Sequence, residues 1–207
     1  MRGSFISFEG LDGSGKSTQI RLLSIGLREA GFDCIETREP GGTSLGRLLR
    51  SAFLETKETV SPIAELLLFS ADRAQHVNML IKPSLEQGKI VLSDRFADST
   101  IAYQCGGREL KRETVDYLIK IATDGLKPDL TILLDLPVEE ALRRKNAENR
   151  MDSENAEFYE RVRQTYLKIA KEEPERFRVV SATGSVEQIN QKLLSIVLDF
   201  LRSRYEF

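Results

Sequence analysis

Short apolar runs alternate along the chain with longer stretches in which apolar residues recur at helical spacing. Five runs of four to six residues predict strands, at positions 5–8, 34–37, 89–93, 130–135 and 177–180. The stretches between them place apolar residues three or four positions apart, as in Val186, Ile189, Leu193 and Val197 after the last run. Buried strands that alternate with helices are typical of a parallel sheet covered on both faces. The pattern therefore predicts a doubly wound α/β fold, in which a five-stranded parallel sheet carries helices on both faces.

Local signals predict where individual helices begin and end. Ser61-Pro62 is a favourable helix start, because Ser caps free backbone N–H groups and Pro fits the first helical position. We expect the helix that begins there to end before Pro83. Ser185 and Gln188 form a capping box ahead of the last helix. No internal repeat, low-complexity segment or linker interrupts the chain, so residues 1–207 are predicted to form one domain.

One stretch near the start carries a phosphate-binding pattern. Gly10-Leu11-Asp12-Gly13-Ser14-Gly15-Lys16-Ser17-Thr18 lies between the first predicted strand and the first predicted helix, and it fits GxxxxGK[ST]. Glycines let successive backbone N–H groups turn inward around an anion, and the following helix adds the positive end of its dipole. In such a loop Lys16 reaches the β- and γ-phosphates, and the Ser17 hydroxyl binds Mg²⁺. An accidental glycine turn is the alternative, but the flanking strand and helix supply the context that the pattern requires.

Polar residues also follow the other central strands. Arg38-Glu39 comes after the second strand, Asp94-Arg95 after the third, and Asp135 closes the fourth. Ligands of parallel α/β sheets bind at the carboxyl ends of the strands. These residues therefore predict an enzyme site at that edge of the sheet.

Composition narrows the class of protein only slightly. Thirty Lys and Arg against 32 Asp and Glu leave a net charge of −2, which gives no indication of nucleic-acid or membrane binding. No apolar run is long enough to span a membrane, and no signal-peptide pattern precedes the first strand, so we expect a cytoplasmic protein. Cys34 and Cys105 are interpreted as reduced structural thiols. His76, the only histidine, is interpreted as a helix-surface residue.

Four blocks of sequence, in this order and spacing, resemble the thymidylate kinase family. They are Phe8-Glu9 with the phosphate loop, Arg38-Glu39-Pro40-Gly41-Gly42-Thr43, Phe69-Ser70-Ala71-Asp72-Arg73, and Asp94-Arg95-Phe96 with Ser99-Thr100-Ile101-Ala102-Tyr103-Gln104. The resemblance extends over essentially the whole chain. It implies phosphoryl transfer from ATP to dTMP, giving dTDP and ADP, with Mg²⁺, in a cytoplasmic homodimer. It also implies a P-loop kinase domain with a short lid at about residues 143–152.

The resemblance assigns the thymine base to one helix face. Phe69 and Arg73 are four residues apart, so they project from the same face, where a ring can stack on a base and a guanidinium can donate to it. Because arginine has donors and no acceptor, it matches O4 of thymine or uracil and is mismatched against the amino group of cytosine. Thr100 and Gln104 resemble the family's contacts to the far edge of the base, and Tyr103 resembles the ring that favours deoxyribose. Taken alone, these residues also fit a core aromatic beside a solvated arginine, and ordinary helix-surface positions.

Charged residues are assigned in the same way to the acceptor phosphate and the metal. Arg95 and Arg50 resemble the family's grip on that phosphate, since a guanidinium fork matches phosphate oxygens. Asp12 resembles an acidic residue that aligns the acceptor phosphate and its bound metal or water. Asp94 is interpreted as binding Mg²⁺ through water. The alternatives are a solvated helix face for Arg50 and a plain ion pair for Asp94.

The donor side departs from one branch of the family. Some thymidylate kinases, chiefly the eukaryotic type, carry arginine at the position of Gly13, so here that loop offers only Lys16 to offset transition-state charge. Our hypothesis is that the lid supplies the missing cation, as in the bacterial type, from the basic residues Arg143, Arg144, Lys145 and Arg150. Arg150 matches the family's lid arginine best. Arg143 and Arg150 are thus predicted to be catalytic, and a solvated helix end is the alternative.

Two other functions stay open on the sequence alone. A kinase for uridylate or adenylate would share the phosphate loop and the lid, and would differ at the residues that contact the base. A nucleotide-dependent switch protein would use the same fold, although no Asn-Lys-x-Asp guanine-reading motif occurs.

Overall fold

The five predicted strands form one parallel sheet in the computed structural model, which describes residues 2–56, 58–144 and 154–205. The strands are β1 (Phe5–Glu9), β2 (Cys34–Arg38), β3 (Ile90–Asp94), β4 (Leu130–Asp135) and β5 (Phe177–Ser181). Their order across the sheet is β2-β3-β1-β4-β5, and every neighbouring pair is parallel. This order leaves a crevice at the carboxyl ends of β1 and β3, where chain connections leave in opposite directions. The predicted fold class is confirmed.

Helices cover both faces of the sheet. They are α1 (Lys16–Glu29), α2 (Ser44–Glu55), α3 (Pro62–His76), α4 (Lys82–Glu86), α5 (Ala97–Thr100), α6 (Arg112–Thr123), α7 (Val138–Arg144), α8 (Ala156–Glu172) and α9 (Val186–Tyr205), with π-helical stretches at Val77–Ile81 and Ile101–Gly107. Helix α1 packs against α9 and against β1, β2 and β3, whereas α8 packs against β4, β5 and the second π-helical stretch. Helix α3 packs between α2 and α6. None of the helices in the described ranges is long and apolar enough to cross a membrane.

The central strands are mostly apolar because both faces of the sheet are covered. Every residue of β1 and β3 is buried, including the polar Ser7 and Ser93. Ser7 hydrogen-bonds the Thr131 hydroxyl on β4 at 3.0 Å, so its polar atom is satisfied inside the core. This burial explains why the strands appear in the sequence as continuous apolar runs without alternation.

The predicted helix caps are present. The Ser61 hydroxyl accepts a hydrogen bond from the Ala64 N–H, with Pro62 at the start of α3. In the capping box, the Gln188 N–H donates to the Ser185 hydroxyl at 3.2 Å, and the Ser185 N–H donates to the Gln188 side chain at 3.1 Å. Both signals are local, which is why the sequence predicts them well.

The predicted end of the helix before Pro83 is wrong. Helix α3 continues through the π-helical stretch into α4, which contains Pro83 in its first turn. The wider turn pairs the Lys82 N–H with the Val77 carbonyl five residues back, and α4 restarts from there. A proline has no N–H to donate and is tolerated in the first turn of a helical segment, where α4 places Pro83.

Candidate active site

The phosphate loop joins β1 to α1 and has the backbone shape that its glycines permit. Gly10 and Gly13 have φ angles of 136° and 84°. A Cβ at Gly10 would lie 2.5 Å from the Leu134 carbonyl oxygen, and one at Gly13 would lie 2.8 Å from the Ala141 carbonyl oxygen. A side chain at Gly13 is therefore excluded twice, by backbone conformation and by space. The loop of this chain is therefore built for glycine at position 13.

Lys16 is folded against its own loop. Its ammonium donates to the Gly10 carbonyl at 3.1 Å and to the Leu11 carbonyl at 2.9 Å, and the side chain is buried. Burial lowers the pKa of Lys16, and the nearby Arg95 lowers it further. The two carbonyls use two of the three N–H donors of the Lys16 ammonium. The third donor remains for an anion bound at the loop.

Ser17 and Asp94 meet where β3 ends beside the start of α1. The Ser17 hydroxyl donates to Asp94 Oδ2 at 2.6 Å. A hydroxyl and a carboxylate are oxygen donors of the kind that Mg²⁺ prefers, together with phosphate oxygens and water. The pair predicted from the sequence as metal-binding is thus adjacent, and its donor set fits Mg²⁺.

A single cavity of about 380 Å³ extends from the phosphate loop to the inner face of α3. The sequence-predicted residues that line it are Asp12, Gly13, Gly15, Lys16, Ser17, Thr18, Arg50, Phe69, Arg73, Asp94, Arg95, Thr100, Tyr103 and Gln104. Gly10, Leu11 and Ser14 complete the phosphate loop behind this wall. Residues as far apart in the sequence as Asp12 and Gln104 therefore face one space.

Arg95 lines the cavity and forms hydrogen bonds with several of the groups around it. Its guanidinium donates to Asp12 at 2.7 Å, to the Gly10 carbonyl at 3.0 Å and to the Tyr103 hydroxyl at 3.3 Å, and it stacks over the Tyr103 ring. The backbone at Arg95 has a φ of 73°, an uncommon left-handed conformation for a residue with a side chain. The ion pair with Arg95 explains how the carboxylate of Asp12 is tolerated inside a phosphate loop.

Two more arginines approach the same region. Arg50 donates to the Pro40 carbonyl, and Arg38 closes β2 at the cavity wall. Burial lowers the pKa of Arg50, and the positive charges of Arg38 and Arg95 lower it further. Three guanidinium groups at one cavity wall favour a dianion placed among them. The sequence placed Arg38 at the strand end without giving it a role.

The inner end of the cavity is formed by α3 and the second π-helical stretch. Phe69 packs edge-to-face on Phe53, with ring centroids 4.8 Å apart. Arg73 is 2% exposed and donates to Glu39 and Thr100 at 2.8 Å and to the Phe96 carbonyl at 3.0 Å. These bonds use three of its five N–H donors. Phe69 and Arg73 share a face, as their spacing predicted, and the burial of Arg73 excludes the alternative of a solvated arginine.

Behind Arg73 lies a buried polar chain that sequence reasoning missed. The interpretation of His76 as a surface residue is wrong: it is fully buried, its Nδ1 pairs with Glu39 Oε1 at 2.8 Å, and its Nε2 pairs with the Thr37 hydroxyl at 2.7 Å. Glu39 thus contacts both His76 and Arg73, and it is 34 residues away from Arg73 in the sequence. Asp72 lies beside them, where burial, and then the charge of Glu39, raises the pKa of Asp72 to about 6. Helical periodicity gave no signal for these pairings, because the partners lie on a different element.

The residues predicted for the lid are only partly described. Arg143 is 74% exposed, pairs with Glu140 and does not line the cavity. Arg144 lines the cavity and bonds Glu140 and the Ala182 carbonyl. Arg150 and Lys145 lie outside the described residues.

A cavity with a phosphate loop at one end, and side chains suited to a base and an anion at the other, defines a P-loop nucleoside monophosphate kinase. The family model described as thymidylate kinase matches residues 8–193. This chain belongs to the thymidylate kinase family.

Similarity to known proteins extends over nearly the whole chain. It is 48% identical to the thymidylate kinase of Desulfovibrio desulfuricans, with 97% of each chain covered, and 47% identical to that of Sulfurihydrogenibium sp., with 98% of each covered. The crystal structure of thymidylate kinase from Ehrlichia chaffeensis superposes with a TM-score of 0.81 at 35% identity, covering 96% of this chain and 100% of that one. The fold and the family therefore agree.

Proposed function

We propose that this protein phosphorylates dTMP to dTDP with ATP. The observation that carries the proposal is the single cavity in which the phosphate loop and the Phe69–Arg73 face meet. One end suits the phosphates of a donor nucleotide, and the other suits a pyrimidine whose position 4 carries an acceptor. The three arginines between them suit the acceptor phosphate.

On the donor side, the backbone of residues 10–18 holds the ATP phosphates and Lys16 balances their charge. Ser17 and Asp94 would hold Mg²⁺, Asp94 through water. When bound, Mg²⁺ would neutralise negative charge on the phosphates of the donor nucleotide. Lys16 exchanges its hydrogen bonds to the Gly10 and Leu11 carbonyls for hydrogen bonds to the phosphate oxygens of ATP.

On the acceptor side, Arg95 and Arg50 hold the dTMP phosphate in line for attack, and Arg38 adds to the positive field. Asp12 holds the fork of Arg95 and aligns the acceptor oxygen. Phe69 stacks on thymine, while Arg73 and Thr100 contact its polar edge. Tyr103, held by Arg95 beneath its ring, crowds the 2′ position and so favours deoxyribose.

We further propose that residues 1–207 act as one domain with a lid at about 143–152. Arg143 and Arg150 of the lid supply cationic stabilisation during transfer, since loose phosphoryl transfer depends on positioning and positive charge. Closure over both substrates also keeps water, the competing acceptor, away from the phosphate.

We also propose a cytoplasmic homodimer. Apolar side chains on the outer faces of α2 and α3 support a self-association surface: Leu48 is 70% exposed and Leu67 is 50% exposed. Leu45 and Ile63 on the same two helices are also exposed. Light scattering on the purified protein tests this, and a monomer at micromolar concentration would contradict it.

A coupled assay of ADP release with dTMP, dUMP, dCMP, UMP and AMP tests the proposed function. We expect dTMP to give the highest kcat/KM, with low ATP hydrolysis when no acceptor is present. A preference for UMP or AMP would identify another monophosphate kinase. ATP binding without transfer to any acceptor would identify a switch protein.

A further inference from the structure

The side-chain amide of Gln104 has two different surroundings. Gln104 is fully buried in the cavity wall, and its Nε2 donates to Glu65 Oε1 at 2.8 Å. Its Oε1 is buried and has no hydrogen-bond partner among the residues that the structure describes. A buried amide oxygen without a partner is costly, so an orphaned acceptor in the wall of a binding cavity points to a ligand that donates.

Glu65 determines how the side-chain amide of Gln104 is oriented. Its side chain is fully buried on α3, and both of its oxygens accept from Arg108, each at 3.3 Å. A carboxylate that is paired with a guanidinium accepts hydrogen bonds and has none to donate. Turning the Gln104 amide over would place its Oε1 against Glu65 Oε1, so that two acceptors would oppose each other. The contact with Glu65 therefore holds the Gln104 carbonyl on the side of the amide away from Glu65.

We propose that Glu65 is a specificity-determining positioning residue, which holds the Gln104 carbonyl as an acceptor for the N3–H of the base. This inference rests on the proposed function. Thymine and uracil carry a donor at N3 and an acceptor at position 4, whereas cytosine carries an acceptor at N3 and an amino group at position 4. Arg73 presents donors on the same wall, so the fixed amide and the guanidinium together form the complement of thymine. Glu65 itself does not line the cavity and acts only through Gln104.

The test compares dTMP with 5-methyl-dCMP, which has the same methyl group, sugar and phosphate and differs only at N3 and position 4. Glu65→Gln keeps the shape of the side chain but lets the contact with Gln104 form in either orientation. We expect the dTMP to 5-methyl-dCMP ratio of kcat/KM to fall by about tenfold or more. The loss lies in a higher KM for dTMP, while kcat and the KM for ATP change by less than about threefold.

Glu173→Gln is the matched control. It makes the same chemical change at a carboxylate that also pairs with an arginine, Arg176 at 2.7 Å, and it does not line the cavity. We expect it to leave the ratio unchanged. A merely structural role for Glu65 would lower the melting temperature and the activity towards both nucleotides together, and would leave their ratio unaltered. That result in a folded Glu65→Gln variant overturns the inference.

A second variant covers the case in which Glu65→Gln does not fold. Exchanging the two residues in one chain, Glu65→Gln with Gln104→Glu, keeps one amide and one carboxylate at the contact and still presents an acceptor to the base. We expect this double variant to retain the preference for dTMP, and loss of that preference in a folded protein contradicts the proposal. Wild-type protein that transfers no phosphate to dTMP would instead refute the proposed function itself.

Discussion

Removing the guanidinium of Arg73 while Glu39 stays in place is expected to destabilise the protein strongly. Arg73 Nε donates to Glu39 Oε2 at 2.8 Å, and each side chain is 3% exposed. Breaking a buried ion pair by deleting one partner costs about 3–5 kcal/mol, because the remaining charge stays buried without compensation. In a chain of this length about 1 kcal/mol corresponds to about 2–4 °C, so Arg73→Met should lower Tm by about 6–20 °C.

Removing both charges should be less harmful than the single changes imply. The double variant Arg73→Met with Glu39→Gln leaves no uncompensated charge, and His76 can donate to or accept from an amide through its ring nitrogens. We expect the double variant to be more stable, by about 1–3 kcal/mol, than the sum of the two single losses predicts. Urea unfolding followed by circular dichroism measures the four free energies of unfolding.

An exposed ion pair on α6 provides the control cycle. Arg112 and Asp116 are 2.7 Å apart and about half exposed, so their coupling should be only about 0.3–0.5 kcal/mol. In steady-state kinetics, Arg73→Met should raise the KM for dTMP and leave the KM for ATP unchanged, since the lost donors face the base end of the cavity. Additive losses in the Arg73–Glu39 cycle would refute the reasoning, because they would mean that neither charge depends on the other.

Four further perturbations follow from the same site. Lys16→Met should lower kcat by about 10²–10³-fold with little change in Tm, and kinetics within tenfold of wild type would exclude Lys16 from catalysis. Arg150→Ala should lower kcat strongly and leave the KM for dTMP nearly unchanged; an unaltered kcat would remove it from the mechanism. Gly13→Ala should weaken ATP binding and lower Tm, because the new Cβ would lie 2.8 Å from the Ala141 carbonyl oxygen at a φ of 84°, and unchanged calorimetric values would argue against this. Because burial raises the pKa of Asp72 to about 6, the folded protein binds a proton there that the unfolded chain has released, so the stability from this proton is lost as pH rises from about 4 through 6. Between pH 4 and 8, the unfolding free energy of Asp72→Asn should therefore fall by up to about 3 kcal/mol less than that of the wild-type protein. Parallel plots of unfolding free energy against pH for the two proteins would be inconsistent with the raised pKa.

Features that depend on neighbouring residues were predicted correctly from the sequence. The capping box of Ser185 and Gln188 formed as expected, because its atoms are three residues apart. The phosphate loop could be recognised for the same reason, since its glycines, Lys16 and Ser17 act within one strand–loop–helix unit. Phe69 and Arg73 share a face because a helix of known period carries them both.

The errors arose where the structure around a helix decides what a residue does. Pro83 lies inside a continuing helical run because a π-helical turn precedes it, and no local signal marks that turn. His76 was interpreted as exposed, since a lone polar residue on a helix normally is, but Glu39 and Thr37 on another element provide it with partners. A buried polar residue is stable only when such partners exist, and the helix sequence does not contain them.

The sequence by itself therefore determined the five strands, the class of fold, the phosphate loop and the family of this protein. Local spacing and apolar periodicity are properties of short segments, and they survive without knowledge of the rest of the chain. Only the tertiary structure decided which polar groups meet: Glu39 pairs with Arg73, Arg38 lines the same cavity as Arg50 and Arg95, and Glu65 accepts from Gln104. The groups that meet lie on separate elements. Packing these elements excludes water, so buried polar groups form hydrogen bonds within the protein instead.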